Sequence, residues 1–259
     1  MKILRKEIDT KADHIVILPI ADLHIGDANF DRKVLDDMLA RLESEPNVYC
    51  CLLGDLMNNA VKTSVSDIYS EVLPPLDQVR ECAKIFKPVK EKILFGIGGN
   101  HEARTWRNDG IDMTYLFFAQ LGIEDLYSDT TAVLFLKTGQ KAYGRHKDQK
   151  VPYSIYATHG NGGGRKMGGK INRLVDYGNV INTDIYLCGH THSPAVVRQS
   201  FFDTDARWGS VVEMDKLFVN TAASLKYGGY GDTQGYTPGS RKYPQIILDT
   251  HFKRAEAIL

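Results

Sequence analysis

Neither sign of charge is in excess in this 259-residue sequence, where 32 lysines and arginines face 32 aspartates and glutamates. That excludes a whole-protein field that gathers polyanions, so any affinity for nucleic acid has to come from local patches or from the chemistry of a site. Long apolar runs are missing too. A membrane-spanning helix needs about 20 consecutive apolar residues, and no segment approaches that length. The N-terminal stretch MKILRKEIDTKADHIVILPIADLH holds an apolar run of strand length and no small-residue cleavage site, so it does not read as a signal peptide. Cysteine is scarce: Cys50, Cys51, Cys82 and Cys188 show no CxxC spacing. They are expected as small buried hydrophobes in a reducing compartment, which points to a cytoplasmic protein without a membrane partner. Repeats, low-complexity tracts and linkers are absent as well, so residues 1–259 read as a single domain.

What is present is an ordinary globular composition, 43% hydrophobic, 25% charged and 10% aromatic, in a chain long enough to bury a sizeable core. Short β-rich runs recur, and each ends in a polar cluster. HIVILPI (14–20) runs into ADLHIGD, VYCCLL (48–53) into GDLMNN and ILFGI (93–97) into GGNHE. YSIYA (153–157) runs into THG, and DIYLC (184–188) into GHTH. Continuous apolar runs of this length suit strands covered on both faces.

Helical patterns lie between the strands. Residues 31–44 open on Asp31 as an N-cap and place Val34, Leu35, Met38, Leu39 and Leu42 on one face. Residues 76–87, 111–121 and 167–181 are read the same way. Strand–helix alternation predicts an α/β architecture, in which ligands gather at the carboxyl ends of strands. The later runs 131–137, 195–202, 211–220 and 245–249 have no helices between them and are expected to form a second, more antiparallel sheet.

The polar residues at the strand ends are Asp22 and His24, Asp55, Asn100 and His101, His159, and His190 with His192. Carboxylate oxygens and imidazole nitrogens are what borderline divalent metals such as zinc, manganese, iron and nickel accept. Each fragment alone has a bland reading as a cap or a turn. GNHE and GHTH are more specific, because tight glycine turns let backbone and ligating groups approach one ion closely. The spacing of His190 and His192 suits an extended segment that puts both rings on one side. Asn58 and Asn59, next after the GD turn, are expected either to orient Asp55 from behind or to cap a following helix. His14, His146 and His251 are read as ordinary surface or packing residues.

The ordered series DLH, GDLMN, GNHE, THG, GHTH resembles the signature of the calcineurin-like metallophosphoesterases, over roughly Asp22 to His192. The resemblance implies a four-layer α/β sandwich, two mixed β-sheets flanked by helices, with a two-metal site at the strand ends. Carried over residue by residue, Asp22, His24 and His192 hold one metal, Asn100, His159 and His190 hold the other, and Asp55 bridges them. The implied cofactors are two divalent ions, manganese first, with iron, nickel or zinc as alternatives. Two cations about 3.5–4 Å apart clamp a phosphate and turn a bridging water into hydroxide for in-line attack. His101 is implied as the catalytic residue at the scissile phosphate, stabilising the transition state or protonating the leaving oxygen.

The resemblance implies a phosphoester substrate. DLHIGD is similar to the DxHxG start of the Mre11/SbcD-type DNA exonucleases, which makes a phosphodiesterase or nuclease acting on DNA or nucleotides the leading expectation. Those nucleases continue into a DNA-capping domain, whereas only residues 193–259 follow GHTH here. Short or single-stranded nucleic acid therefore fits better than processive duplex handling. A small-molecule or nucleotide phosphomonoesterase is the alternative, and a non-catalytic scaffold is disfavoured because all seven ligand positions and His101 are intact. Protein partners are not legible. Three basic or aromatic segments are candidate substrate contacts. The glycine-rich 161–174 segment carries Arg165, Lys166 and Lys170 beside the metal motifs but lacks a GK[ST] loop. The run 137–150 has five cations against a single Asp148. Residues 226–243 set Tyr227, Tyr230, Tyr236 and Tyr243 among glycines, where aromatics can stack on bases.

Overall fold

The computed structural model describes residues 1–64, 68–140 and 150–259. Its strands are β1 (Lys2–Asp9), β2 (His14–Ile20), β3 (Val48–Leu52), β4 (Ile93–Ile97), β5 (Tyr127–Ser128) and β6 (Thr131–Gly139), followed by β7 (Val151–Thr158), β8 (Ile185–Cys188), β9 (Ala195–Asp205), β10 (Ser210–Asn220), β11 (Gln245–Asp249) and β12 (Ala255–Ile258). The helices that cover them are α1 (Arg32–Ser44), α2 (Pro75–Phe86), α3 (Ala103–Asp109), α4 (Met113–Leu121) and α5 (Met167–Asp176). Among these residues no helix is long and apolar enough to cross a membrane.

Two six-stranded mixed sheets result, in the orders β12-β11-β2-β3-β4-β5 and β1-β6-β7-β8-β10-β9. The period-2 alternation of each apolar run explains how they stack. In β2, Ile15 and Ile17 point into the layer between the sheets, where they meet Leu134, Ile155, Ile185 and Val219. Val16, Leu18 and Ile20 point the other way, onto Leu35, Leu39, Val79, Phe86 and Phe117 of the helices. In β8, Ile185 and Leu187 face the inner layer while Tyr186 and Cys188 face out toward Leu174 of α5. Helix, sheet, sheet and helix are thus four layers, and both faces of each central strand are dry. Each fully buried aliphatic or aromatic side chain contributes about 1.5–3 kcal/mol. All four cysteines are buried and unpaired, as their apolar settings imply.

The assignment of strands to sheets departs from the sequence reading. The second sheet takes β7 and β8 together with the later hairpin, so THG and GHTH leave a different sheet from the first three motifs. Conversely β11 returns to the first sheet, antiparallel to β2. The N-terminal β1, which the sequence did not announce, pairs parallel to β6 as an edge strand with only Leu4 and Ile8 buried. The expected 111–121 helix is α4, and a short separate helix, α3, precedes it. The glycine-containing 167–181 segment stops being α-helical at Asp176. Asp31 does occupy the N-cap position of α1, but its side chain makes no cap bond and instead pairs with Arg241.

Part of the basic run lies outside the described residues, namely 141–149 with Lys141, Arg145, His146, Lys147 and Asp148. At its end, Lys150 pairs with Glu7 at 3.1 Å and Asp9 at 3.0 Å. His14 is exposed, and His251 pairs with Asp13 at 3.2 Å.

Candidate metal centre

The carboxyl ends of β2, β3, β4, β7 and β8 converge, and the loops that leave them interlock. Asp22 N–H donates to the Gly54 carbonyl at 3.0 Å, His24 N–H to the Asp55 carbonyl at 3.0 Å, and Gly189 N–H to the His159 carbonyl at 3.1 Å. The Asp22 carboxylate accepts the His190 N–H at 2.9 Å, which ties one sheet to the other.

Backbone conformation marks the same place. Among the described residues, the non-glycine residues with positive φ are Asp22, His24, Asp55, Asn59, His190 and His192. Asp, Asn and His tolerate the left-handed region best, yet each such residue costs about 1–3 kcal/mol and persists only where the surroundings over-determine it. His190 and His192 therefore do not lie on an extended segment: φ is 69° and 50°. Left-handed turns, not strand alternation, aim these two rings.

Three groups of donor atoms each fall within 4.8 Å of one another: Asp22, His24 and His192; Asp55, His159 and His190; and His24, Asp55 and His101. His192 Nε2 lies 3.3 Å from Asp22 Oδ1 and 3.2 Å from His24 Nε2. On the other side His159 Nε2 lies 3.2 Å from Asp55 Oδ2 and 3.0 Å from Asn100 Oδ1. Asp22, His24, Asp55 and His159 are buried, and the GHTH histidines are half-buried.

Hydrogen bonding fixes which ring nitrogen is available. Asn58 Nδ2 donates to Glu71, so its Oδ1 faces His24 Nδ1 at 3.2 Å and accepts that proton. His159 Nδ1 donates to the Leu53 carbonyl at 2.7 Å. With Nδ1 so engaged, each ring presents Nε2 to the centre: that of His24 toward His192 Nε2, and that of His159 toward Asp55 and Asn100, where a proton or a metal ion satisfies the oxygens. The donor set of imidazoles, carboxylates and one amide oxygen fits borderline divalent ions. Outer partners of this kind orient ligands. Asn58 does so for His24 rather than for Asp55, and Asn59 caps no helix: it accepts from Thr105 Oγ1 at 2.8 Å and donates to the His101 carbonyl at 2.8 Å.

The electrostatics agree. Burial, then the His101 and His192 rings, hold His24 well below the usual imidazole range. Burial also opposes a charged His159, but the Asp55 carboxylate outweighs it and raises this group to about 10. Asp55 in turn is held well below the carboxylate range, since His159 and His101 overcome the desolvation that works against its anion. His190 is lowered by burial and then by His159.

His101 stands apart from the ligand geometry. Its Nδ1 donates to the Asn58 carbonyl at 2.7 Å and its Nε2 accepts from Arg104 Nη2 at 2.9 Å. A metal held by His24, Asp55 and His101 would face that guanidinium directly, so like-charge repulsion disfavours the third grouping. His101 retains a foothold at the centre, with Nε2 3.8 Å from Asp55 Oδ2 and its backbone N–H on Asp55 Oδ1 at 2.8 Å.

Sequence reasoning passed over Glu102. It is buried, and its carboxylate accepts N–H bonds from Asp55 at 3.1 Å, Met57 at 3.0 Å and Gly99 at 3.2 Å, clamping the GD turn to the GGN turn. Burial and then the Asp55 charge raise it to about 7. The glutamate of GNHE was visible in the chain, but its three backbone donors were not.

The basic candidates divide. Lys170 Nζ donates to the Thr191 carbonyl at 2.9 Å and to Ser193 Oγ at 2.6 Å, so it braces the GHTH loop. Arg165 is exposed, bonds the Gln234 carbonyl at 2.9 Å and lies over the Tyr236 ring, joining the glycine-rich segment to the 226–243 segment. Lys166 is exposed, as is Tyr227. Tyr243 is not available for stacking: it is buried, with its hydroxyl donating to the Ala21 carbonyl.

A family model described as calcineurin-like phosphoesterase matches residues 15–194, more than half of the chain. No curated protein matches it by sequence. Solved structures resemble it distantly. A predicted phosphoesterase from Streptococcus pneumoniae TIGR4 is 15% identical, with 95% of this chain and 89% of that chain covered and a TM-score of 0.39. Wild-type Vps29 complexed with Zn2+ from Entamoeba histolytica is 13% identical over 94% of this chain and 98% of that one, at a TM-score of 0.43.

Proposed function

We infer that this chain, which belongs to the calcineurin-like phosphoesterase family, is a metal-dependent hydrolase of phosphodiester bonds, with DNA or nucleotides as its substrate class. The observation that carries the reading is the convergence of seven oxygen and nitrogen ligands from five loops around two adjoining clusters, with His101 beside both. Asp22, His24 and His192 would hold one divalent ion, Asn100, His159 and His190 would hold a second, and Asp55 would serve both. Manganese is the first choice, with iron, nickel or zinc as alternatives. Bound divalent ions supply Lewis acidity, which neutralises phosphate charge and makes water acidic enough to react near neutral pH.

The protein's own residues do the rest. Asn58 and the Leu53 carbonyl keep His24 and His159 in the tautomer that exposes Nε2. Glu102 holds the Asp55 and Asn100 turns in register, and Lys170 holds the loop of His190 and His192. His101 lies beside the centre, with Nε2 3.8 Å from Asp55 Oδ2, where it contacts the phosphoryl group; once that nitrogen has taken a proton from solvent, it passes the proton to the leaving oxygen. Arg165 and Lys166 line the approach and meet the substrate's outer phosphates.

A metal-by-substrate matrix tests the reading. Protein loaded with Mn2+, Ni2+, Zn2+ or Mg2+ is assayed on bis(p-nitrophenyl) phosphate, p-nitrophenyl phosphate, single-stranded and duplex DNA, and RNA. Turnover of the diester and of single-stranded DNA with Mn2+ is expected. Activity confined to the monoester overturns the diesterase reading, and inactivity on every ester with every metal overturns the hydrolase.

A further inference from the structure

Among the described residues, Arg104 is a half-buried cation that no carboxylate touches, although Asp55, Glu102 and Glu71 act on it from farther off. Among the described residues it makes no ion pair within 4.0 Å, and its hydrogen bonds run to two neutral acceptors: Nη1 to the Asn58 carbonyl at 3.1 Å and Nη2 to His101 Nε2 at 2.9 Å. A buried or half-buried guanidinium is costly unless an anion meets it. Arginine presents five N–H donors in a planar fork, shaped to grip phosphate through two oxygens. Among the described residues, two of these donors have protein acceptors.

Its position is as telling as its charge. Arg104 lies in the first turn of α3, and His101 lies in the tight turn that leads into it; the Arg104 N–H donates to the His101 carbonyl at 3.1 Å, which keeps the two side chains together. The Asn58 carbonyl accepts from both side chains, so the three groups form a closed ring. His101 Nε2, 3.8 Å from Asp55 Oδ2, is covered by Arg104. A phosphoryl oxygen approaching that nitrogen therefore meets the guanidinium at the same moment.

We propose that Arg104 is a phosphate-binding residue whose guanidinium rests on His101 in the free protein and moves to a non-bridging phosphoryl oxygen when the ester arrives. The exchange frees His101 Nε2 for the leaving oxygen and places two donors on the phosphate. It breaks one hydrogen bond and forms at least one stronger, charge-assisted one. The inference rests on the phosphoesterase reading for its substrate but not for its binding step, so the two can fail separately.

The test uses the full chain loaded with Mn2+, as wild type, Arg104→Ala and Arg104→Lys. Inorganic phosphate binding is measured by calorimetry, and hydrolysis of bis(p-nitrophenyl) phosphate is resolved into kcat and KM. Loss of one charge-assisted contact predicts phosphate binding about 10–100-fold weaker in Arg104→Ala and a KM raised by a similar factor. Metal content and melting temperature should stay at wild-type values. Arg104→Lys should recover part of the binding, and added guanidinium chloride at low millimolar concentration should restore turnover to Arg104→Ala. Unchanged phosphate affinity in Arg104→Ala overturns the proposal, whether or not the wild type hydrolyses the diester. So does loss of metal or of folding without guanidinium rescue, which would make Arg104 a structural residue. A wild type that binds phosphate through Arg104 but turns over no ester leaves this inference standing and sinks the hydrolase.

Discussion

Gly99 is packed so tightly against Asp55 that a methyl group on it would overlap both the Asp55 amide nitrogen and Oδ1. The same added Cβ would lie 2.7 Å from Glu102 Oε2, and one on the neighbouring Gly54 would lie 2.6 Å from Gly99 Cα. Two glycine turns thus nest against each other, and the Asp55 carboxylate sits in the seam.

Gly99→Ala should consequently displace Asp55. Overpacking of this kind costs about 1–3 kcal/mol. The expected result is a lowered melting temperature together with less than the full metal complement by elemental analysis. Retention of full metal and full stability would show that the seam is slack.

Replacing His101 by Ala should separate chemistry from binding. Loss of a general acid predicts a drop of about 10²–10⁴-fold in kcat. Metal content should not change, because Nε2 accepts from Arg104 and a metal at that nitrogen would face the guanidinium. Asp55→Ala should lose both metal and turnover. Undiminished hydrolysis in the His101 variant would remove its assigned role.

Asn58→Ala should weaken metal binding without touching a ligand. Its Oδ1 holds His24 Nδ1 while its own amide is held by Glu71. Losing such an orienting partner costs about 10–100-fold in metal affinity. Titration with a chromophoric chelator measures the change, and wild-type affinity would argue that the His24 turn is rigid by itself.

Metal uptake should release protons. His159 is raised to about 10 from an ordinary 6.5, so in the metal-free protein it carries a proton across the neutral and mildly alkaline range. The stability this proton contributes is complete below about 6.5 and fades as pH climbs through about 10. A metal needs the Nε2 lone pair and must displace it. Calorimetry in buffers of different ionisation enthalpy should report about one proton released per protein at about pH 8, and His159→Asn should abolish that release. Equal release from both proteins would locate the proton elsewhere.

Much of the chemistry was legible because it is carried by residue type and local order. An apolar run such as HIVILPI suits a strand dry on both faces, and while one glycine turn with Asp, Asn or His reads as an ordinary turn, five of them at successive strand ends point to a shared ligand. On that basis the sequence alone grouped Asp22, His24, Asp55, Asn100, His101, His159, His190 and His192 as one constellation on an α/β fold, and the family resemblance added the four-layer sandwich.

Contacts between distant segments had no such local signature. Strand periodicity says which residues share a face but not which strand lies alongside, so it could not send β11 back to the first sheet or place THG and GHTH on the second. Nor does it announce left-handed backbone at Asp22 or His190, because that strain is supported by partners far along the chain. The same holds for Glu102 beneath two turns, Lys170 beneath the histidine loop and Arg104 on His101. The sequence by itself determined which atoms are able to bind metal and phosphate. Only the closed tertiary structure decided which of them meet, because hydrogen-bond acceptors and charges act over a few ångströms of space whatever their separation in the chain.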